Sequence, residues 1–183
     1  EIYQCDWSSD VCSSDLMTPF PATCGPADNL AQAAEHMWDA DCGIVPVVDE
    51  RGHVLGVITD RDICIAAATR GRAPADIPAG DMVHGHTVVV RETELVTTAL
   101  ALMRRHRVRR LPVVTEAGVL HGMLSLDDVA YAVGESGGVT ADEIIATFKA
   151  LYARPARGSS YERAPASAPP APSSRKRSTR GRA

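Results

Sequence analysis

Two short stretches have residue types that can do chemistry. Thr59-Asp60-Arg61-Asp62 and Ser125-Leu126-Asp127-Asp128 each place a hydroxyl three positions before a carboxylate, just after an apolar run. At a helix start such a pair has two uses. As a capping box, the hydroxyl accepts an N–H of the first turn and the acid reaches back, although Glu or Gln is the commoner acid there. As a ligand site, the free N–H groups and partial positive charge of the helix end suit a phosphate. The hydroxyl then adds a hydrogen bond, and the carboxylate accepts from hydroxyls of the ligand. A third ingredient is Arg104-Arg105-His106-Arg107-Val108-Arg109-Arg110, the densest charge cluster in the body of the chain. Arg104 and Arg105 read as a solvated helix face. Arg110 directly precedes Leu111-Pro112, and its guanidinium offers a fixed pair of donors matched to phosphate oxygens.

Other chemistries find no constellation. His36, His53, His84, His86, His106 and His121 show no HExxH spacing, and neither a Walker A loop nor GxGxxG is present. His84-Gly85-His86 sits in turn material with no acid or thiol nearby in sequence, so no metal site and no catalytic residue is expected. The five cysteines, Cys5, Cys12, Cys24, Cys42 and Cys64, form no CxxC pair. Their odd number and the lack of an export signal suggest a reducing, cytoplasmic setting.

The elements that must position these residues occur twice. Ile44 to Ala66 returns as Arg110 to Ala132 about 66 residues later and without a gap. Pro46, Val47, Val48, Gly52, Gly56 and Asp62 pair with Pro112, Val113, Val114, Gly118, Gly122 and Asp128, and Ala33 and Met37 pair with Ala99 and Met103. Cys42 and Cys64 then align with Val108 and Ala130, which reads them as packing residues. Ile44 aligns with Arg110, so the two halves are chemically unequal.

Periodicity reads each half as strand, helix, strand, strand, helix, an α/β class. In the first, Asp28 caps a helix carrying Leu30, Ala33, Ala34 and Met37. Ile44 to Val48 and Val54 to Thr59 form a hairpin, and Thr59 caps a helix through Ala68 closed by Gly71. In the second, Thr87 to Val90 is a strand and Glu94 to His106 a helix with Leu95, Ala99, Leu102 and Met103 inward. Leu111 to Thr115 and Val119 to Ser125 form the hairpin, and Asp127 to Val133 closes it before Gly134. A last helix, Ala141 to Tyr152, presents Ile144, Ile145, Phe148 and Leu151 on one face.

The divisions that follow are a leader, 1–16; repeat one, 17–71; a linker, 72–80; repeat two, 81–134; a C-terminal helix, 139–152; and a tail, 153–183. The leader resembles a translated sequencing adapter, lacks apolar periodicity and is expected to be disordered. With 45% hydrophobic residues and 4% aromatics, the chain can build one good core from aliphatic side chains. No apolar run approaches the roughly 20 residues of a membrane span. The net charge of -4 hides an acidic body and a tail rich in Arg, Ala, Pro and Ser, expected to be disordered. Basic but without aromatics in its charged run, that tail reads as a solubilising end rather than a nucleic-acid site.

The chain resembles a tandem pair of CBS domains, the modules named after cystathionine β-synthase. The resemblance rests on MTPFPATCGPADNLAQAAEHM, GIVPVVDERGHVLGVITDRDI, HRVRRLPVV and GVLHGMLSLDDV, from Met17 to about Val133. It implies one α/β unit with pseudo-twofold symmetry, a homodimer, and clefts between repeats that take AMP, ADP, ATP or S-adenosylmethionine as regulatory ligands. By this resemblance Asp62 and Asp128 are the ribose-binding candidates, Thr59 and Ser125 the polar contacts, and Arg110 the phosphate contact. Thr23, Cys24, Thr87, Val88, Val57 and Met123 are candidate walls. The implied function is a regulatory module without enzymatic activity that signals through conformation, dimer contacts or an effector protein. A structural or stress-response dimer with no physiological nucleotide is the competing expectation.

Overall fold

The computed structural model describes residues 11–83, 85, 87–133 and 139–153. Repeat one comprises α2 (Leu30–Asp39), β2 (Ile44–Val48), β3 (Val54–Thr59) and α3 (Asp60–Thr69), preceded by α1 (Ser13–Leu16) and β1 (Thr18–Pro19). Repeat two comprises β4 (Val90–Arg91), α4 (Val96–His106), β5 (Arg110–Val114), β6 (Leu120–Ser125) and α5 (Leu126–Tyr131), followed by α6 (Ala141–Tyr152).

The sequence repeat is reproduced in backbone detail. Both hairpins turn at a glycine in the left-handed region, Gly52 (φ 82°) and Gly118 (φ 81°), which a side chain would strain. Both carry an irregularity at the same place, between Val47 and Val48 and between Val113 and Val114. Cys24 bridges Val47 in parallel, and β4 pairs Val90 with Val113 in the same sense.

One core was expected, and two are present. Leu30, Ala33, Val45, Val47 and Ile58 centre the first, while Val90, Ala99, Leu100, Leu111, Val113 and Leu124 centre the second. A common seam joins them. Leu120 N–H donates to the Gly52 carbonyl (2.9 Å) and the Thr87 hydroxyl to the Leu55 carbonyl (3.3 Å). The segments ahead of each repeat cross over. β1 pairs antiparallel with β6, and Leu16 and Met17 pack on the second core. Reciprocally, Met82 and Val83 pack on the first. Each hairpin is therefore closed by residues that precede the other repeat.

Several expectations need correcting. The leader is not disordered throughout: from Val11 it joins repeat two, where the Val96 N–H donates to the Val11 carbonyl and Ser13 is buried, its hydroxyl donating to the Glu94 carbonyl. The linker is core material, for Ile77 and Ala79 are fully buried and two 3₁₀ turns, Pro74–Asp76 and Ala79–Met82, fold it onto α2. Asn29, not Asp28, caps α2. Its side chain accepts the Gln32 N–H and Gln32 returns the bond, whereas Asp28 accepts the Gly25 N–H. The strand placed at Thr87 to Val90 is Val90–Arg91, because parallel pairing begins only where Val90 meets Val113. In repeat one it shrinks to the Cys24 bridge. α4 starts at Val96, after the Glu94 carboxylate has accepted the Arg91 N–H, and Leu95 and Leu102 are half-buried while Leu100 is buried. α5 spans Leu126–Tyr131, and Gly134 lies outside the described residues, as do His84, His86 and the tail from Arg154.

The stripe on α6 splits. Ile144 and Thr147 are buried, while Ile145 and Phe148 face outward. Cys64 is exposed rather than packed, and Cys42 is half-buried with its thiol 3.3 Å from the Ile44 carbonyl. Among the described cysteines Cys24 is the buried one. Burial, then the nearby Asp28 charge, pushes its pKa up to about 11. Since the thiolate is the nucleophile, iodoacetamide at pH 8 should alkylate Cys64 in the native protein and leave Cys24 intact until denaturant is added. Peptide mass spectrometry reads both sites, and native labelling of Cys24 would contradict its placement.

Candidate functional site

Both hydroxyl–carboxylate pairs form the capping box. Thr59 Oγ1 accepts the Asp62 N–H (3.2 Å), and Asp62 Oδ2 accepts the Thr59 N–H (3.0 Å) and its hydroxyl (2.6 Å). Ser125 Oγ accepts the Asp128 N–H (3.0 Å), and Asp128 Oδ2 accepts the Ser125 N–H (2.8 Å). Oδ1 takes part in none of these bonds. The cap thus fixes each carboxylate at a strand end and leaves one oxygen of each outside the box.

Register brings Arg110 to this spot. It pairs directly with Ser125 across β5 and β6, as Ile44 pairs with Thr59 across β2 and β3. Arg110, Ser125 and Asp128 therefore form one chain of neighbours on repeat two. The rest of the basic cluster is sorted by α6: Arg104 donates to Thr147 Oγ1 (3.0 Å) and Arg109 to the Tyr152 hydroxyl (3.5 Å). Arg104 is half-buried under that helix, not the solvated residue expected. Arg110 enters none of the ion pairs among the described residues.

Arg110 instead lines a cleft of about 260 Å³ between the repeats, near the lower end of small-molecule sites. One wall is Gly56 and Val57 of β3 with Met82 and Val83; the other is Thr87, Val88, Val108 and Pro112. Of the expected site residues, the structure gathers Arg110, Thr87, Val88 and Val57 here. Thr59, Asp62, Ser125 and Asp128 stand at the adjoining strand ends, half-buried and outside the lining. Cys24 and Met123 are buried, and Thr23 does not reach the cleft.

Sequence reasoning missed Met82 and Val83, placed at the margin of the linker. Their signal was present, since they align with Leu16 and Met17 at the common repeat offset. Leu16 lies in the leader, whose lack of apolar periodicity masks that pairing. Among the described residues no group of three His, Cys, Asp or Glu side chains could hold a metal, and no helix is long and apolar enough to cross a membrane.

The paired α/β repeats have counterparts among known proteins. YlbB of Bacillus subtilis is 38% identical over 117 residues, which cover 63% of this chain and 78% of that protein. The crystal structure of Hypoxic Response Protein I with two coordinated zinc ions matches at a TM-score of 0.62 and 28% identity, covering 67% of this chain and 99% of the other. A CBS domain protein from Pyrobaculum aerophilum complexed with AMP matches at 0.60 and 26%, covering 66% and 92%. The CBS domain model itself fits twice, over residues 13–68 and 79–135, more than half the sequence, and so the chain belongs to the CBS-domain family.

Proposed function

We propose that this protein is a regulatory module that binds an adenosyl ligand, AMP, ADP, ATP or S-adenosylmethionine, in the cleft at Arg110. Binding biases a conformational or dimer equilibrium, and no catalysis is involved. The observation that carries the reading is the guanidinium of Arg110 on the cleft wall, directly across from Ser125 and its Asp128 cap. Phosphate meets Arg110, ribose hydroxyls meet Asp128 Oδ1, and the base lies against Val57, Thr87 and Val88. The similar Pyrobaculum aerophilum protein, complexed with AMP, supports the same ligand class. The equivalent place in repeat one, with Ile44, has no cation and is the weaker site. A ligand shifts the equilibrium only by its preference for one state, so the signal passes through the seam or to a partner protein.

The test is thermal unfolding with each of the four ligands. At 100 times its dissociation constant a ligand stabilises by about 2.7 kcal/mol, which raises Tm by about 5–10 °C for a chain of this size. A second reading, a structural homodimer without nucleotide, is favoured by the bonds that Thr59, Asp62, Ser125 and Asp128 already make to one another as caps. Failure of all four compounds to move Tm would reject the ligand reading and favour that alternative.

A further inference from the structure

The helices backing the two hairpins end in equivalent places but are covered differently. On repeat two, Leu100, Met103, Leu126 and Val129 are buried in a cluster that includes Ile144 and Leu151 of α6, and Arg104 and Arg109 bond to that helix. Their counterparts on repeat one, Ala34, Met37, Asp60 and Ile63, line an open groove of about 470 Å³ with Trp38 and Asp41. Trp38 is 85% exposed, and Ala34 and Ile63 are half-buried where Leu100 and Val129 are buried. Asp41 (φ 47°) and Arg107 (φ 56°) are both left-handed, so the two helices end alike. Repeat one thus has the seat of a helix, and no helix among the described residues lies on it. The seats differ in charge: Asp41 and Asp60 replace Arg107 and Leu126.

α6 has a second apolar edge. Ile145, Phe148 and Tyr152 follow helical spacing, are 49%, 36% and 61% exposed, and the rings of Phe148 and Tyr152 stack at 6.2 Å. Lys149, also exposed, lies beside them. The inner edge of α6 is committed to repeat two, whereas this outer edge faces solvent apart from the Tyr152 hydroxyl, which accepts from Arg109.

We infer that the repeat-one groove receives the outer edge of α6 from a second copy of this chain. Ile145, Phe148 and Tyr152 pack beside Trp38 and Ile63, and Lys149 meets Asp41 and Asp60. The charges are complementary, which fixes register and disfavours other partners. Among the described residues groove and helix occur once in each chain, so two copies satisfy both in a closed twofold pair. This rests on the dimer part of the proposed function and not on its ligand part, because the groove and the nucleotide cleft share no residue.

Sedimentation equilibrium of the full chain without nucleotide tests it. Wild type should sediment as a dimer. Ile145→Glu with Phe148→Glu should weaken the dimer at least about tenfold, as expected for interface anchors, with helicity by circular dichroism unchanged. Asp41→Arg and Lys149→Glu should each weaken it and together restore it. Carbodiimide treatment of mixed light and heavy isotope chains should join Lys149 of one to Asp41 or Asp60 of the other. A monomeric wild type overturns the dimer reading and this inference with it. A dimer indifferent to the α6 variants but broken by Ile65→Glu or Tyr131→Glu, on the outer faces of α3 and α5, overturns this inference alone.

Discussion

Replacing Arg110 with alanine weakens AMP or ATP binding about 10- to 100-fold, and leaves adenosine almost unaffected. A hydrogen bond to a charged group is worth about 1.5–3 kcal/mol, and about 1.4 kcal/mol is a factor of ten. Among the described residues lining the cleft Arg110 is the cation, and Arg104 and Arg109 are engaged with α6, so no described side chain nearby takes its place. Arg110→Lys should fall between wild type and alanine, since an ammonium keeps the charge but loses the fork. The residue is half-buried at the start of β5, so its loss should move unfolding stability little. Isothermal titration calorimetry separates the outcomes: equal AMP affinity for wild type and Arg110→Ala rejects the phosphate assignment. Equal losses for AMP and adenosine would point instead to a disturbed cleft wall.

The part of this architecture legible in the residues was the part written twice. Pro46 and Pro112, Gly52 and Gly118, and Thr59 and Ser125 each appear at a common offset, and hairpins, turns and caps follow them closely. What was obscured depends on pairing between distant segments. Nothing local in Thr18-Pro19 marks a strand, because its partner is Gly122-Met123 on the other repeat. Ile77 and Ala79 sit among prolines and glycines and read as a linker, yet they are buried because the chain returns across α2. The α6 stripe failed for a different reason. Ile144, Ile145, Phe148 and Leu151 satisfy helical spacing, but only one narrow edge meets α4 and α5, and periodicity does not say how wide a covered face is. The candidate site was half legible: the residues name the caps and place Arg110 beside Ser125, whereas Met82 and Val83 became wall residues of the cleft only through the crossover.

That crossover leaves Gly56 and Gly122 the least room for a side chain among the described glycines. A Cβ on Gly122 would lie 2.4 Å from Met17 Sδ and 2.8 Å from the Thr18 carbonyl oxygen. One on Gly56 would lie 2.5 Å from Val83 Cγ1 and 2.8 Å from Cγ2. Neither glycine has a positive φ, so alanine suits the backbone and the obstacle is space alone. Forcing a methyl into packed structure costs about 1–3 kcal/mol, which lowers Tm by roughly 3–10 °C at this chain length. Gly25→Ala, whose Cβ would meet nothing closer than 3.6 Å, is the control and should stay within about 0.5 kcal/mol. Rescue distinguishes the two sites. Val83→Ala removes both offending methyls and should recover most of the loss at Gly56→Ala, giving a clear coupling energy in a double-mutant cycle. Met17→Ala should recover only part at Gly122→Ala, because the Thr18 carbonyl is main chain and is held by the β1–β6 pairing. If both glycine variants melted with wild type, the reciprocal closure of each hairpin by the other repeat's leading segment would be wrong, and the walls of the cleft would have to be redrawn.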